Sequence, residues 1–79
     1  MLARVFITLK PGVLDPAGKA VEGSLHSLGY PEVGSVRLGK YVEVQVEEAD
    51  PARAKARVEE MCQKLLANTV VENFRVELG

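Results

Sequence analysis

Residues 5–16 read Val-Phe-Ile-Thr-Leu-Lys-Pro-Gly-Val-Leu-Asp-Pro: an alternating strand, a Pro-Gly break and a helix start in which Asp precedes Pro. Asp15 can accept from the free amides of the first helical turn, while Pro16, with no N–H, loses nothing at the first helical position. Asp50-Pro51 repeats the signal later in the chain. Each start follows a run of alternating apolar residues, so the chain divides into two similar strand-and-helix halves.

Worked outward from that stretch, the pattern predicts a first strand over about 2–10. Ala3, Val5, Ile7 and Leu9 share one face, and Arg4, Phe6, Thr8 and Lys10 share the other. A helix over 16–28 aligns Ala17, Val21, Leu25 and Leu28, with Gly29 suited to a left-handed stop. This helix is expected to pack on the odd face of the first strand. A segment over 33–39 carries Val36 and Leu38, and residues 41–47 alternate Val42, Val44 and Val46 with Glu43, Gln45 and Glu47. Gly39-Lys40 between them predicts a tight type II′ hairpin. A second helix over 51–66 aligns Ala54, Val58, Met61 and Leu65, with Glu60 and Lys64 paired on its flank. The last strand, over 70–78, turns Phe74, Val76 and Leu78 inward.

The resulting order is β-α-β-β-α-β. With right-handed crossovers it predicts an α+β two-layer sandwich, a ferredoxin-like antiparallel sheet with both helices on one face. The opposite face then holds Arg4, Phe6, Thr8, Ser35, Arg37, Tyr41, Glu43, Gln45 and Arg75. Antiparallel sheets can leave such a face wet. The aromatic pair Phe6 and Tyr41 points instead to cover by a copy of the chain, there or along a sheet edge.

Size sets further bounds. Seventy-nine residues are expected to form one domain, 1–79, because two would each bury too little to offset the entropy of ordering. So small a domain often gains burial by self-association, which makes a homo-oligomer the expectation. Ten Lys and Arg against eleven Asp and Glu give a net charge of -1, with no basic cluster and no basic-aromatic run, which argues against nucleic acid as partner. Cys62 is the single cysteine, so no internal disulfide or Cys-x-x-Cys metal pair can form; it reads as a small packing residue. No signal peptide and no apolar run near the roughly 20 residues of a membrane span is present, so a cytoplasmic protein without membrane association is expected.

A search for catalytic groups finds little. His26 is the only histidine, and its helical neighbour Glu22 makes an ordinary surface pair, not a positioned acid–base couple. No Walker loop and no His, Cys and carboxylate cluster with metal-ligand spacing occurs, so no catalytic, cofactor-binding or metal residue is expected. Glu47-Glu48 and Glu59-Glu60 read as a strand exit and a charged helix face. Gly12, Gly18 and Lys10 offer a weak anion-binding pattern that turn geometry explains equally well.

Three stretches, Leu9-Lys-Pro-Gly-Val-Leu-Asp-Pro-Ala-Gly18, Val36-Arg-Leu-Gly-Lys-Tyr41, and Cys62-Gln-Lys-Leu-Leu-Ala-Asn68 running into Val71-Glu-Asn-Phe-Arg-Val76, together resemble the PurS family, the small subunit of phosphoribosylformylglycinamidine synthase. The resemblance covers nearly the whole chain. It implies a subunit that is non-catalytic by itself within an ATP- and glutamine-dependent C–N ligase of purine biosynthesis. Such a subunit, a homodimer without cofactor, bridges a glutaminase subunit to a large synthetase subunit and supports ammonia transfer. Lys10, Gly12, Asp15, Gly39, Lys40, Asn68 and Glu72 match the motif; turn and cap formation accounts for Gly12, Asp15, Gly39 and Asn68, leaving Lys10, Lys40 and Glu72 as candidate partner contacts. Ala17 and Thr69 depart from the family pattern, where Gln and Pro are common. The alternative reading is a small-molecule-binding regulatory module, since fold alone does not decide function.

Overall fold

The computed structural model describes all residues from Met1 to Gly79. Its order is β1 (Leu2–Leu9), α1 (Pro16–Ser27), β2 (Gly39–Gln45), α2 (Pro51–Met61) continued by a π-helical turn (Cys62–Leu66), and β3 (Glu72–Leu78). β1 is the central strand, antiparallel to β2 on one side and β3 on the other. Val5 stands opposite Val42 and Val76, and Ala3 opposite Val44 and Leu78, so the odd residues of β1 share one face with the apolar residues of both neighbours. α2 covers that face over β1 and β3. The core is Ala3, Val5, Ile7, Val58, Cys62, Ala67 and Val76. Full burial of Val5, Ile7 and Val58 contributes about 1.5–3 kcal/mol each. An α+β fold with an antiparallel sheet and two helices is what the strand and helix periodicities predict.

Both helix starts form as read. Asp15 accepts from the Gly18 amide at 2.8 Å with Pro16 behind it, and Asp50 accepts from the Ala52 amide at 3.1 Å ahead of Pro51. α1 ends at Gly29, whose φ of 100° permits the Schellman bonds from the Gly29 amide to His26 and from the Tyr30 amide to Leu25.

Four details differ from the sequence reading. First, residues 33–38 form no strand, and Gly39 opens β2 opposite Thr8 instead of turning a hairpin. The reason lies in where the polar groups of this segment go: the Leu38 amide is taken by the Asp15 carboxylate and the Arg37 guanidinium by the carbonyls of Leu9 and Lys10. Second, α1 makes no substantial contact with any strand or with α2. Of its residues only Gly18 is buried, and its stripe residue Leu28 is 73% exposed. Third, the inward row of α2 is Ala54, Val58, Cys62 and half-buried Leu66, an i,i+4 ladder, while Leu65 is 83% exposed. The π turn, closed by the Ala67 amide on the Cys62 carbonyl at 2.9 Å, brings residue 66 round to the core side. Fourth, Ser35 and Arg37 leave the open face of the sheet with their segment. That face retains Phe6 and Tyr41, ring centroids 5.2 Å apart, with the Arg75 guanidinium 4.4 Å above Phe6.

A candidate partner-contact site at one end of the sheet

The C-terminal end of β1 and the N-terminal ends of β2 and β3 meet at one edge of the molecule, because both neighbours run antiparallel to β1. Lys10 follows β1, Lys40 is the second residue of β2 and Glu72 opens β3 opposite Leu9. The topology thus gathers three residues from distant parts of the chain.

Two of them touch. Lys40 Nζ lies 3.6 Å from Glu72 Oε1 and 3.5 Å from the Leu66 carbonyl at the end of the π turn, where exposed carbonyls favour a cation. Glu72 Oε1 also accepts from the Asn68 amide at 2.7 Å. Asn68 in turn accepts at its carbonyl from the amides of Val71 and Glu72, and at its side chain from Val70. Glu72, its side chain 15% exposed, therefore fastens the turn between the π helix and β3, with Lys40 pinned above it. Lys10 is different. Its backbone is fixed, the amide donating to the Val71 carbonyl at 2.8 Å and the carbonyl accepting from Arg37 at 3.0 Å, but its ammonium group makes no hydrogen bond or ion pair with the chain.

Arg37 is the residue that sequence reasoning misplaced. Assigned to the sheet face, it instead clamps Leu9 and Lys10 at 2.8 and 3.0 Å. Nothing in the local alternation Val36-Arg37-Leu38 signals this, because the partner carbonyls lie 27 and 28 residues away. Asp15 sits at the centre of the same region. The amides of Gly18 and then Leu38, with Arg37 nearby, hold its carboxyl below the usual value. Gly18 is required here, since a Cβ would collide with the Val36 carbonyl and the Asp15 carboxylate. A shallow depression of about 170 Å³ beside it is lined by Asp15, Lys19, Glu22 and Arg37 among others.

Cys62 is fully buried, and burial together with Glu59 pushes its thiol above the usual value, away from the reactive thiolate. His26 is exposed and engaged with the Val33 carbonyl at 2.7 Å, which requires a proton on Nε2. No group of three His, Cys, Asp or Glu side chains converges in a way that could hold a metal ion, and no helix is long and apolar enough to cross a membrane.

Comparison with known proteins agrees along the whole chain. Residues 2–79 match the family described as PurS, Phosphoribosylformylglycinamidine (FGAM) synthase. The chain is 51% identical over 75 residues to the Phosphoribosylformylglycinamidine synthase subunit PurS of Synechocystis sp., covering 95% of this chain and 75% of that one. The solved structure of Bacillus subtilis PurS superposes with a TM-score of 0.84 at 50% identity, covering 96% of this chain and 94% of the other. A chain in the structure of PurLQS from Thermotoga maritima superposes with a TM-score of 0.83 at 32% identity, covering 98% and 96%. The family match leaves out only the first residue of the chain, and the chain belongs to the PurS family of phosphoribosylformylglycinamidine synthase.

Proposed function

We propose that this chain acts, as a homodimer, to join the glutaminase and ATP-dependent synthetase subunits of phosphoribosylformylglycinamidine synthase, so that ammonia released from glutamine at one site reaches the other. The observation that carries the reading is the surface the chain leaves uncovered. It exposes 5437 Å², where a compact protein of 8.6 kDa exposes about 4,700 Å². The excess, roughly 700 Å² per copy, is close to the about 800 Å² that each partner contributes to a standard-size interface.

The chemistry of the pathway step gives a bridging protein its purpose. Free ammonia is diluted and protonated between release and use, so two active sites separated in space must be held together. Tethering raises the effective concentration of one subunit near the other without any new catalytic group. A surface with net charge -1 suits partners recognised by matched patches of both signs, and not a polyanion. Lys10, Lys40 and Glu72, gathered at one edge, are the proposed contacts. Of the three, Lys10 has the cation with no partner in its own chain.

The test is retention. A tagged form of the full chain, mixed with the glutaminase and synthetase subunits in the presence of glutamine and ATP, should hold both on an affinity matrix. Retention of neither subunit overturns the bridging reading. Saturable binding of a metabolite by the isolated chain, without either protein, supports the regulatory-module alternative instead.

A further inference from the structure

We infer that the shallow groove at the end of α2, bounded by Arg57, Met61, Lys64 and Leu65, receives an acidic-apolar segment of one partner subunit. An aliphatic side chain of that segment lies against Met61 and Leu65, and its carboxylates meet Arg57 and Lys64. This rests on the bridging reading above and adds a surface to it.

The groove comes from a change of helical pitch. After Met61 the helix widens into the π turn Cys62–Leu66, closed by the Ala67 amide on the Cys62 carbonyl at 2.9 Å. Widening brings Leu66 towards the core and leaves Leu65 outside, the most exposed large apolar side chain of the protein. Such turns are rare within α-helices and concentrate at functional sites. Beside Leu65 lies Met61, half-buried and packed on the core, which gives the groove of about 260 Å³ an apolar floor. The unbranched thioether of Met61 adapts to the shape of an incoming side chain.

The rim is charged. Lys64 Nζ lies 3.0 Å from Glu60 Oε1, and Arg57 Nη1 lies 3.3 Å from Glu60 Oε2. The bond from Lys64 and the charges of Lys64 and Arg57 hold the Glu60 carboxyl below its usual value. Two cations share this one carboxylate, so the rim keeps an excess positive charge. Both cationic side chains are more than half exposed and retain donors for a further carboxylate.

That combination selects the occupant. A second copy seated here about a two-fold axis would set one net-positive rim against another. A polyanion would leave Leu65 and the apolar floor without a partner. A protein segment with carboxylates flanking an aliphatic side chain satisfies both floor and rim.

Position joins the groove to the contacts already proposed. Lys40 Nζ, 3.6 Å from Glu72, is also 3.5 Å from the carbonyl of Leu66, the residue that follows Leu65. Groove and Lys40–Glu72 edge therefore form one continuous surface around the turn between α2 and β3.

Methyl spectra of the full chain, ¹³C-labelled at Met and Leu, test this in titrations with the glutaminase and synthetase subunits, singly and together, in the presence of glutamine and ATP. The Met61 and Leu65 methyl resonances are expected to shift on addition of one subunit. Leu65→Asp and the double variant Arg57→Gln with Lys64→Gln should keep the parental thermal midpoint. Leu65→Asp should weaken retention of that same subunit about tenfold or more, and the double variant should weaken it less and reduce its sensitivity to salt. Unmoved Met61 and Leu65 methyls while both subunits are retained overturn the docking site and leave the bridging reading standing. A smaller species in sedimentation of Leu65→Asp, with retention unchanged, assigns the groove to a second copy and overturns the inference as well. Retention of neither subunit by the parent chain overturns both readings.

Discussion

Asp15 Oδ2 accepts the backbone amide of Leu38 at 2.9 Å across 23 residues of chain, and the other carboxylate oxygen caps α1 through Gly18 at 2.8 Å. One side chain thus starts the first helix and removes residue 38 from strand pairing before β2. Because both amide bonds favour the ionised form, the carboxyl is held below its ordinary value of 3.8. A depressed carboxyl contributes stability that is present above the unfolded value and is lost as pH falls through the folded one. The urea midpoint of the protein should therefore decline below about pH 4, with a contribution that Asp15→Asn removes. An unchanged acid slope in Asp15→Asn contradicts the assignment.

Two glycines of α1 should respond to alanine with opposite signs. At Gly18 a Cβ meets the Val36 carbonyl and the Asp15 carboxylate, whereas at Gly23 it meets nothing within 4 Å. Gly23→Ala should stabilise by about 0.5–1 kcal/mol, the helix-propensity difference. Gly18→Ala should lower the thermal midpoint and loosen residues 33–38, read as faster amide exchange at Leu38.

Val58 is fully buried in the core beneath β1. Val58→Ala removes two buried methyl groups and leaves a cavity, and should cost about 2–3 kcal/mol in urea unfolding. A loss under about 0.5 kcal/mol, typical of surface sites, is incompatible with the packing described. The neighbouring thiol gives a second readout of the same core. Cys62, at 0% exposure, should react with a thiol reagent only in denaturant.

The Lys40–Glu72 pair separates a structural role from a recognition role. At 3.6 Å and with Lys40 more than half exposed, its coupling in a double-mutant cycle should not exceed about 1 kcal/mol of stability. Lys10→Ala, removing an ammonium group that pairs with nothing in the chain, should leave the thermal midpoint unchanged. It should also weaken retention of the glutaminase or synthetase subunit at least threefold. Full retention by Lys10→Ala removes this residue from the interface.

Local signals in the sequence carried much of the fold. Asp15-Pro16 and Asp50-Pro51 mark both helix starts to the residue, Gly29 marks the end of α1, and the alternation of Ala3, Val5 and Ile7 marks the buried face of β1. These signals act within one turn or one pleat. The errors fall where a distant group decides. Val36 and Leu38 alternate as a strand would, but their segment is claimed by Asp15 and Arg37. The stripe of α1 reads as core-facing because its spacing is that of any amphipathic helix, and spacing cannot say whether a sheet lies beneath it. Leu65 is misassigned because i,i+3 and i,i+4 rows are equally apolar there, and the π turn selects the row through Cys62 and Leu66. At the candidate site, motif matching found Lys10, Lys40 and Glu72 but could not show that two of them neutralise each other.

The central claim, that this chain couples two active sites without chemistry of its own, is tested most directly by turnover in a reconstituted mixture of glutaminase, synthetase, ATP and formylglycinamide ribonucleotide. With glutamine as nitrogen donor, omission of the chain should abolish product formation, while added ammonium salt should restore synthesis by the synthetase subunit alone. Glutamine-dependent turnover that proceeds at the same rate without the chain contradicts the account.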